Sequence, residues 1–187
     1  MAKDIIIKKS DLYKNGYYKE DSLDVNVNIK SETNLGIIKF KKGVETTKGI
    51  YLGNGCGIKT GEDIKARGSI KAGKDIEAGW HIEAGGFIEA DGGIKTDGGI
   101  KAGLSIVCKK ELSFKYQLFA GVCTWRKLED DDLIVKCGKL NAPEGKIITG
   151  NLIETSIKEE QKEIIIDGKT IKISKESFEE LKKQFCG

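Results

Sequence analysis

Residues 58–106 read IKTGED IKARGS IKAGKD IEAGWH IEAGGF IEADGG IKTDGG IKAGLS I. Counted from Leu52, a branched aliphatic returns at every sixth position through Ile106, and two residues after each isoleucine from Ile58 to Ile100 stands an alanine or threonine. Alternate side chains of a strand point to opposite faces. In Ile58-Lys59-Thr60 the first and third residues therefore face one way and the lysine the other. A unit with an inward aliphatic, an outward charge, an inward small residue and a Gly-rich corner reads as one short strand plus turn of a β-solenoid. The position after the small residue, Gly61, Arg67, Gly73, Gly79, Gly85, Asp91, Asp97 and Gly103, is rich in residues that tolerate the left-handed backbone of a sharp corner.

The outward charges decide how many such sides make a coil. They run Lys59, Lys65, Lys71, Glu77, Glu83, Glu89, Lys95, Lys101. With three hexads per coil, residues eighteen apart stack at about 4.8 Å, giving Lys59/Glu77/Lys95, Lys65/Glu83/Lys101 and Lys71/Glu89. Every vertical neighbour is then of opposite charge. A two-hexad coil would set Lys59 on Lys71 and Glu77 on Glu89, and facing like charges destabilise a sheet. The expected fold is mainly β: a short triangular parallel β-solenoid of about three coils, capped by flanking β segments. The expected divisions are an N-terminal β cap at 1–51, the solenoid at 52–107, a second β cap region at 108–158, and a hairpin plus helix at 159–187.

The flanks supply the remaining elements. Leu23, Val25, Val27 and Ile29 alternate with polar residues as in a half-buried strand, and Asn15-Gly16 marks a turn. After Cys108 the period is expected to stop. Glu163 to Ile166, Asp167-Gly168 and Thr170 to Ile173 read as a hairpin. Ser174 is an N-cap for a helix over 175–185 with Phe178, Leu181 and Phe185 on one face.

Composition narrows the function classes. Charged residues make up 33% of the 187, yet the net charge is only +3, which does not indicate a nucleic-acid partner. No apolar run has the length of a membrane span and no signal-peptide core opens the chain, so a cytoplasmic protein is expected. Five cysteines without a C-x-x-C pair and a single histidine argue against a zinc site or a disulfide framework. No cofactor and no metal are expected. Gly53-Asn54-Gly55-Cys56-Gly57 lacks the Lys-Ser/Thr of a phosphate loop, and Asp130 to Asp132 lack calcium-loop spacing.

The corners of the middle coil carry the informative side chains. Eighteen-residue stacking places Trp80 between Glu62 and Gly98, His81 between Asp63 and Gly99, and Phe87 between Ser69 and Ser105. The aromatics are either covered by the terminal segments, the first expectation, or left as a contact surface. Trp80, His81 and Phe87, with Glu77, Glu83 and Glu89, are the candidate residues for binding a protein partner. His81 beside Asp63 is also a candidate oriented base.

The units at 70–76 and 82–88 resemble the repeats of bactofilins and related polymer-forming bacterial solenoids, which implies a non-enzymatic scaffold. The six-residue aliphatic period also resembles hexapeptide-repeat acyltransferases, although there the small residue lies two before the aliphatic and here it lies two after. The small Lys/Glu/Ile-rich chain ending in a hairpin and short helix is similar in style to accessory proteins of bacteriophages and mobile elements, anti-CRISPR proteins among them. That likeness implies a non-enzymatic protein that binds and blocks a host nuclease in the bacterial cytoplasm. The other readings are a self-assembling scaffold, with homo-oligomers formed through the solenoid or the C-terminal helix, and a small acyltransferase.

Overall fold

The Ile-charge-small tripeptides each form a three-residue strand, as at Ile64–Ala66, Ile76–Ala78, Ile82–Ala84 and Ile88–Ala90. The structure, a computed structural model, describes residues 3–155 and the strands Gln161–Ile166 and Lys169–Ser174. Within residues 3–155 the strands stack in parallel into three sheets that follow one another round the coil. Sheet I holds six strands, from Gly36–Phe40 to Lys139–Asn141. Sheet II holds seven, from Leu23–Val25 to Lys146–Thr149, and sheet III eight, from Ile5–Ile7 to Asn151–Glu154.

The triangular coil with eighteen-residue stacking is what the central rungs adopt. Ile58, Ile76 and Ile94 lie in register in sheet I, Ile64, Ile82 and Ile100 in sheet II, and Ile70, Ile88 and Ile106 in sheet III. All nine isoleucines are buried, as are the alanines and threonines two residues further on and Cys108 after Ile106. Three aliphatic and three small side chains thus fill each triangular layer, and each buried isoleucine contributes about 1.5–3 kcal/mol. Outside, Lys59 meets Glu77 at 2.7 Å, Lys101 meets Glu83 at 2.9 Å and Lys71 meets Glu89 at 3.0 Å. Lys65 departs from the ladder, turning to Asp63 at 2.6 Å although it stands in register with Glu83.

The number of coils is larger than the hexad run suggests: about seven turns, not three. The segments expected to cap the run contribute rungs of their own. Ile38, Val44 and Ile50 pair with Ile58, Ile64 and Ile70 across spacings of twenty residues, and Leu112 and Leu118 continue the columns of Ile94 and Ile100. Leu52, the apparent first member of the series, occupies the small-residue position of its rung, two residues beyond Ile50. The chain around Asn54 and Gly55 adds two residues there and shifts the register.

Corner geometry also differs from expectation. Positive φ occurs at Asn34 and at Gly16, Gly36, Gly55, Gly121 and Gly150, none of them in the hexad run. The corner glycines answer a different constraint. A Cβ on Gly79 would collide with the carbonyl of Gly61 in the rung beneath, and on Gly85 or Gly103 with that of Arg67 or Gly85. These corners stack backbone on backbone.

The two ends of the stack are unlike. The excursion between Ile7 and Leu23 makes a short 3-10 turn at Lys9–Asp11 and a bridge from Leu12 to Tyr18, then places Tyr17 beside Lys39 at the edge of sheet I. Leu12 and Tyr18 pack on the core, where Ile7 and Leu23 are buried. At the other end Ile148, Leu152 and Ile153 are exposed. The chain divides into compact units at Thr155/Ser156. In the second, Gln161–Ile166 pairs antiparallel with Lys169–Ser174, the strands of the expected hairpin. The expected helix over 175–185 lies outside the described residues. No helix among the described residues is long and apolar enough to cross a membrane.

In urea denaturation, Ile88→Ala is expected to lower unfolding stability by about 3 kcal/mol through the cavity it leaves, and Glu89→Ala by less than about 1 kcal/mol. Gly85→Ala is expected to cost about 1–3 kcal/mol, because the added methyl has no room against the rung beneath. Equal losses at Ile88 and Glu89 would contradict the inward and outward assignment.

Candidate functional site

Each sheet shows solvent one outward side chain per rung, and sheet II has the most elaborate borders. Its outward column runs Asp24, Glu45, Lys65, Glu83, Lys101, Phe119 in register. Along the edge entered from sheet I stand His81 and Tyr116, and a groove of ≈ 350 Å³ lies between them and Lys65, Glu83, Lys101 and Phe119. Gly99 sits between His81 and Gln117 in the corner stack and opens this groove.

The opposite border is made by the chain after Phe119. The next rung does not begin until Ile134, and the intervening segment turns back down the corner. The Gly121 N–H donates to the Leu104 carbonyl at 3.0 Å and the Cys123 N–H to the Gly103 carbonyl at 2.9 Å. The Cβ of Cys123 lies in the space that a side chain on Gly103 would need. Trp125 follows, with the Arg126 guanidinium 5.6 Å from its ring centre and 2.6 Å from Asp132. Asp132 also accepts the Glu129 N–H at 2.8 Å at the start of a 3-10 turn over Asp130–Leu133, in which Asp130 and Asp131 are exposed. A second groove of ≈ 480 Å³ runs beneath Trp125 and Cys123 over Lys65, Glu83 and Lys101.

The six candidate residues read from the sequence do not converge. Glu77, Glu83 and Glu89 belong to one turn of the coil but lie on sheets I, II and III in that order. Trp80 and His81 share the corner leading into sheet II, whereas Phe87 stands at the entry to sheet III, half-buried. The vertical neighbours are as expected: Trp80 donates its N–H to the Glu62 carbonyl at 3.3 Å, His81 to Asp63 at 2.8 Å and Phe87 to Ser69 Oγ at 3.3 Å. The expected covering of the aromatics fails for Trp80, which is 58% exposed. His81 and Glu83 are the two candidates that meet, both lining the smaller groove.

Sequence reasoning passes over Tyr116 and Trp125, 57% and 64% exposed. Tyr116 is within reach of the column rule, lying two rungs above Trp80 with Gly98 between them. Trp125 carries no such signal, because its position depends on a loop that leaves the repeat.

His81 Nδ1 lies 3.3 Å from Asp63 Oδ1, so the expected pair exists. Burial opposes ionisation of Asp63, but the Lys65 ammonium and the His81 backbone N–H outweigh it and hold the carboxyl below its ordinary range. The imidazole itself is exposed, at the rim of the smaller groove. Cys56, Cys108 and Cys137 are buried. Burial, with Cys137 as neighbour, pushes the Cys108 thiol up to about 12, and burial, with Glu154 nearby, pushes Cys137 up to about 11. Cys123 lines the larger groove. Among the described residues no three His, Cys, Asp or Glu side chains gather closely enough to hold a metal ion.

Comparison with known proteins finds no matching family model, no matching curated protein and no matching solved structure.

With Trp80 and Trp125 both exposed, intrinsic fluorescence is expected to resemble that of tryptophan in water and to be quenched fully by acrylamide. A blue-shifted, protected component would contradict their placement. Because Asp63 has a lowered carboxyl pKa, its contribution to stability is complete above the ordinary value of 3.8 and disappears as pH falls through the lower folded-state value. Asp63→Asn is expected to flatten the acid limb of a stability-against-pH curve over that window and to leave the neutral region parallel to wild type. An unchanged acid limb would remove Asp63 from the account.

Proposed function

We propose that the protein is a non-catalytic binding protein that presents sheet II and its borders to a macromolecular partner. The observation that carries this reading is the gathering of Trp80, Tyr116 and Trp125, each more than half exposed, along the two edges of one charged sheet. Tryptophan and tyrosine are over-represented among the anchor residues of protein interfaces. The sheet beneath holds them rigidly, since its inward aliphatic column, Leu23, Val44, Ile64, Ile82, Ile100 and Leu118, is buried throughout. The class of partner to test first comes from the likeness to phage and mobile-element accessory proteins, and is a bacterial RNA-guided defence nuclease.

The scaffold reading, built on the bactofilin-like repeat, would have coils add end to end. That requires an open first rung, and the excursion that brings Leu12 and Tyr18 onto the core stands in its way. The acyltransferase reading rests on His81 and Asp63, and the imidazole stands in solvent at a groove rim rather than inside a pocket that could exclude water from an acyl donor.

The test compares three versions of the protein immobilised against bacterial lysate and against purified RNA-guided nucleases: wild type, Trp80→Ser with Tyr116→Ser, and Phe87→Ser. A specific partner is expected on wild type and on Phe87→Ser, and lost from the double variant with the melting temperature kept. Retention by the double variant, or equal loss from Phe87→Ser, would overturn the assignment to sheet II.

A further inference from the structure

The outward column of sheet II has an order that neither other sheet shares. From Glu45 to Lys101 it reads acid, base, acid, base: Glu45, Lys65, Glu83, Lys101. Sheet I reads Lys39, Lys59, Glu77, Lys95 over the same rungs, and sheet III Tyr51, Lys71, Glu89, Val107. Reversed end for end, the sheet II column becomes base, acid, base, acid, its own complement at every level. The reversed sheet I column brings Lys39 onto Lys95. The reversed sheet III column keeps one charge pair, Lys71 with Glu89, and sets Tyr51 on Val107.

We infer that sheet II is the contact face of a symmetric homodimer in which two solenoids lie face to face with their axes antiparallel. A two-fold axis running along the strand direction, midway between the rungs of Lys65 and Glu83, sets Lys65 of one copy opposite Glu83 of the other and Glu45 opposite Lys101. It also returns each corner to the same corner of its mate, so that Asp63 of one copy lies on the level of His81 of the other. Strand spacings match by construction, since both copies carry rungs about 4.8 Å apart. A two-fold along the solenoid axis would instead face Lys65 with Lys65 and is excluded by the same column. The arrangement is isologous and closes on itself, so it yields a dimer and no filament.

The shape of the face agrees. On the edge entered from sheet I, Tyr116 stands at the upper rungs, and a shallow depression bounded by Asp24, Lys42, Glu45 and Glu62 lies at the lower rungs. Antiparallel packing brings Tyr116 of each copy over the hollow on the same edge of the other. The surface is that of the binding reading, but the inference does not depend on it. A second copy and a foreign partner compete for one face, and charge changes in the column address the first while the Trp80 and Tyr116 changes leave the column intact.

The experiment is sedimentation velocity of the full chain over a concentration series at low salt, with wild type, Lys65→Glu, Glu83→Lys and an equimolar mixture of the two variants. Wild type is expected to form a dimer that weakens as salt rises. Each single variant sets like charges face to face and is expected to raise the dissociation constant by at least about a hundredfold. In the mixture the glutamate introduced at position 65 of one copy faces the lysine introduced at position 83 of the other. The unchanged Glu83 of the first copy then faces the unchanged Lys65 of the second, so a heterodimer of near wild-type affinity is expected. Far-ultraviolet circular dichroism and melting of each variant establish that both remain folded. A wild type that stays monomeric throughout, variants that dimerise as well as wild type, or folded variants that fail to pair when mixed would each overturn the inference.

Discussion

Everything in this molecule follows from the requirement that each layer of a parallel stack present the next with the same cross-section at about 4.8 Å. A single isoleucine in each strand sits directly on the isoleucine of the rung beneath, and an alanine or threonine on its counterpart two residues on. Because that column is buried at every level from Ile58 to Ile106, a one-residue slip would turn it outward and the lysine or glutamate inward. The inward column therefore sets the register with several kilocalories per mole behind it, while the exposed ion pairs add about 0–1 kcal/mol each and discriminate among registers that are already close. Corners are constrained as strictly as strands, since glycine at Gly79, Gly85 and Gly103 lets one backbone rest on another.

That same requirement explains which parts of the fold are legible in the sequence. From Ile58 to Ile106 the corners all have one length, so the period is visible and the triangular coil follows from the order of charges. The stack continues on both sides, but corners of changing length conceal it. Two extra residues separate Ile50 from Ile58, and the chain takes seventeen residues from Leu118 to Val135 where six would serve inside the run. The inward positions also relax: Phe40 and Phe114 are buried where the central rungs carry a small residue. A stack can accept such changes one at a time, whereas a search for a fixed period cannot. The expectation of left-handed corners fails for a related reason. It weighs a glycine's own backbone freedom, while the structure needs glycine for what passes one rung away.

For the site, the column rule places Trp80, His81 and Phe87 on their neighbours and pairs His81 with Asp63. It does not distribute them among faces as a binding surface requires, because consecutive hexads belong to consecutive sheets. Side chains close in sequence, such as Glu77, Glu83 and Glu89, look in three directions, and those that share a face are eighteen or more residues apart. Tyr116 belongs to the face by that logic. Trp125 belongs to it only because a loop returns over Gly103. The outward surface is free of the packing constraint, and sheet II is where that freedom has gathered aromatic side chains and a self-complementary series of charges on one plane.

The most direct measurement of the stacking is a distance along one face. With the native cysteines replaced and nitroxide labels on cysteines at positions 39 and 141, five strand spacings separate the labels on sheet I, although the two positions are 102 apart in the chain. A narrow spin–spin distance distribution centred on the order of 24 Å is the expected result. A broad distribution, or one centred well away from that value, would contradict a continuous in-register stack running through both flanks of the hexad run.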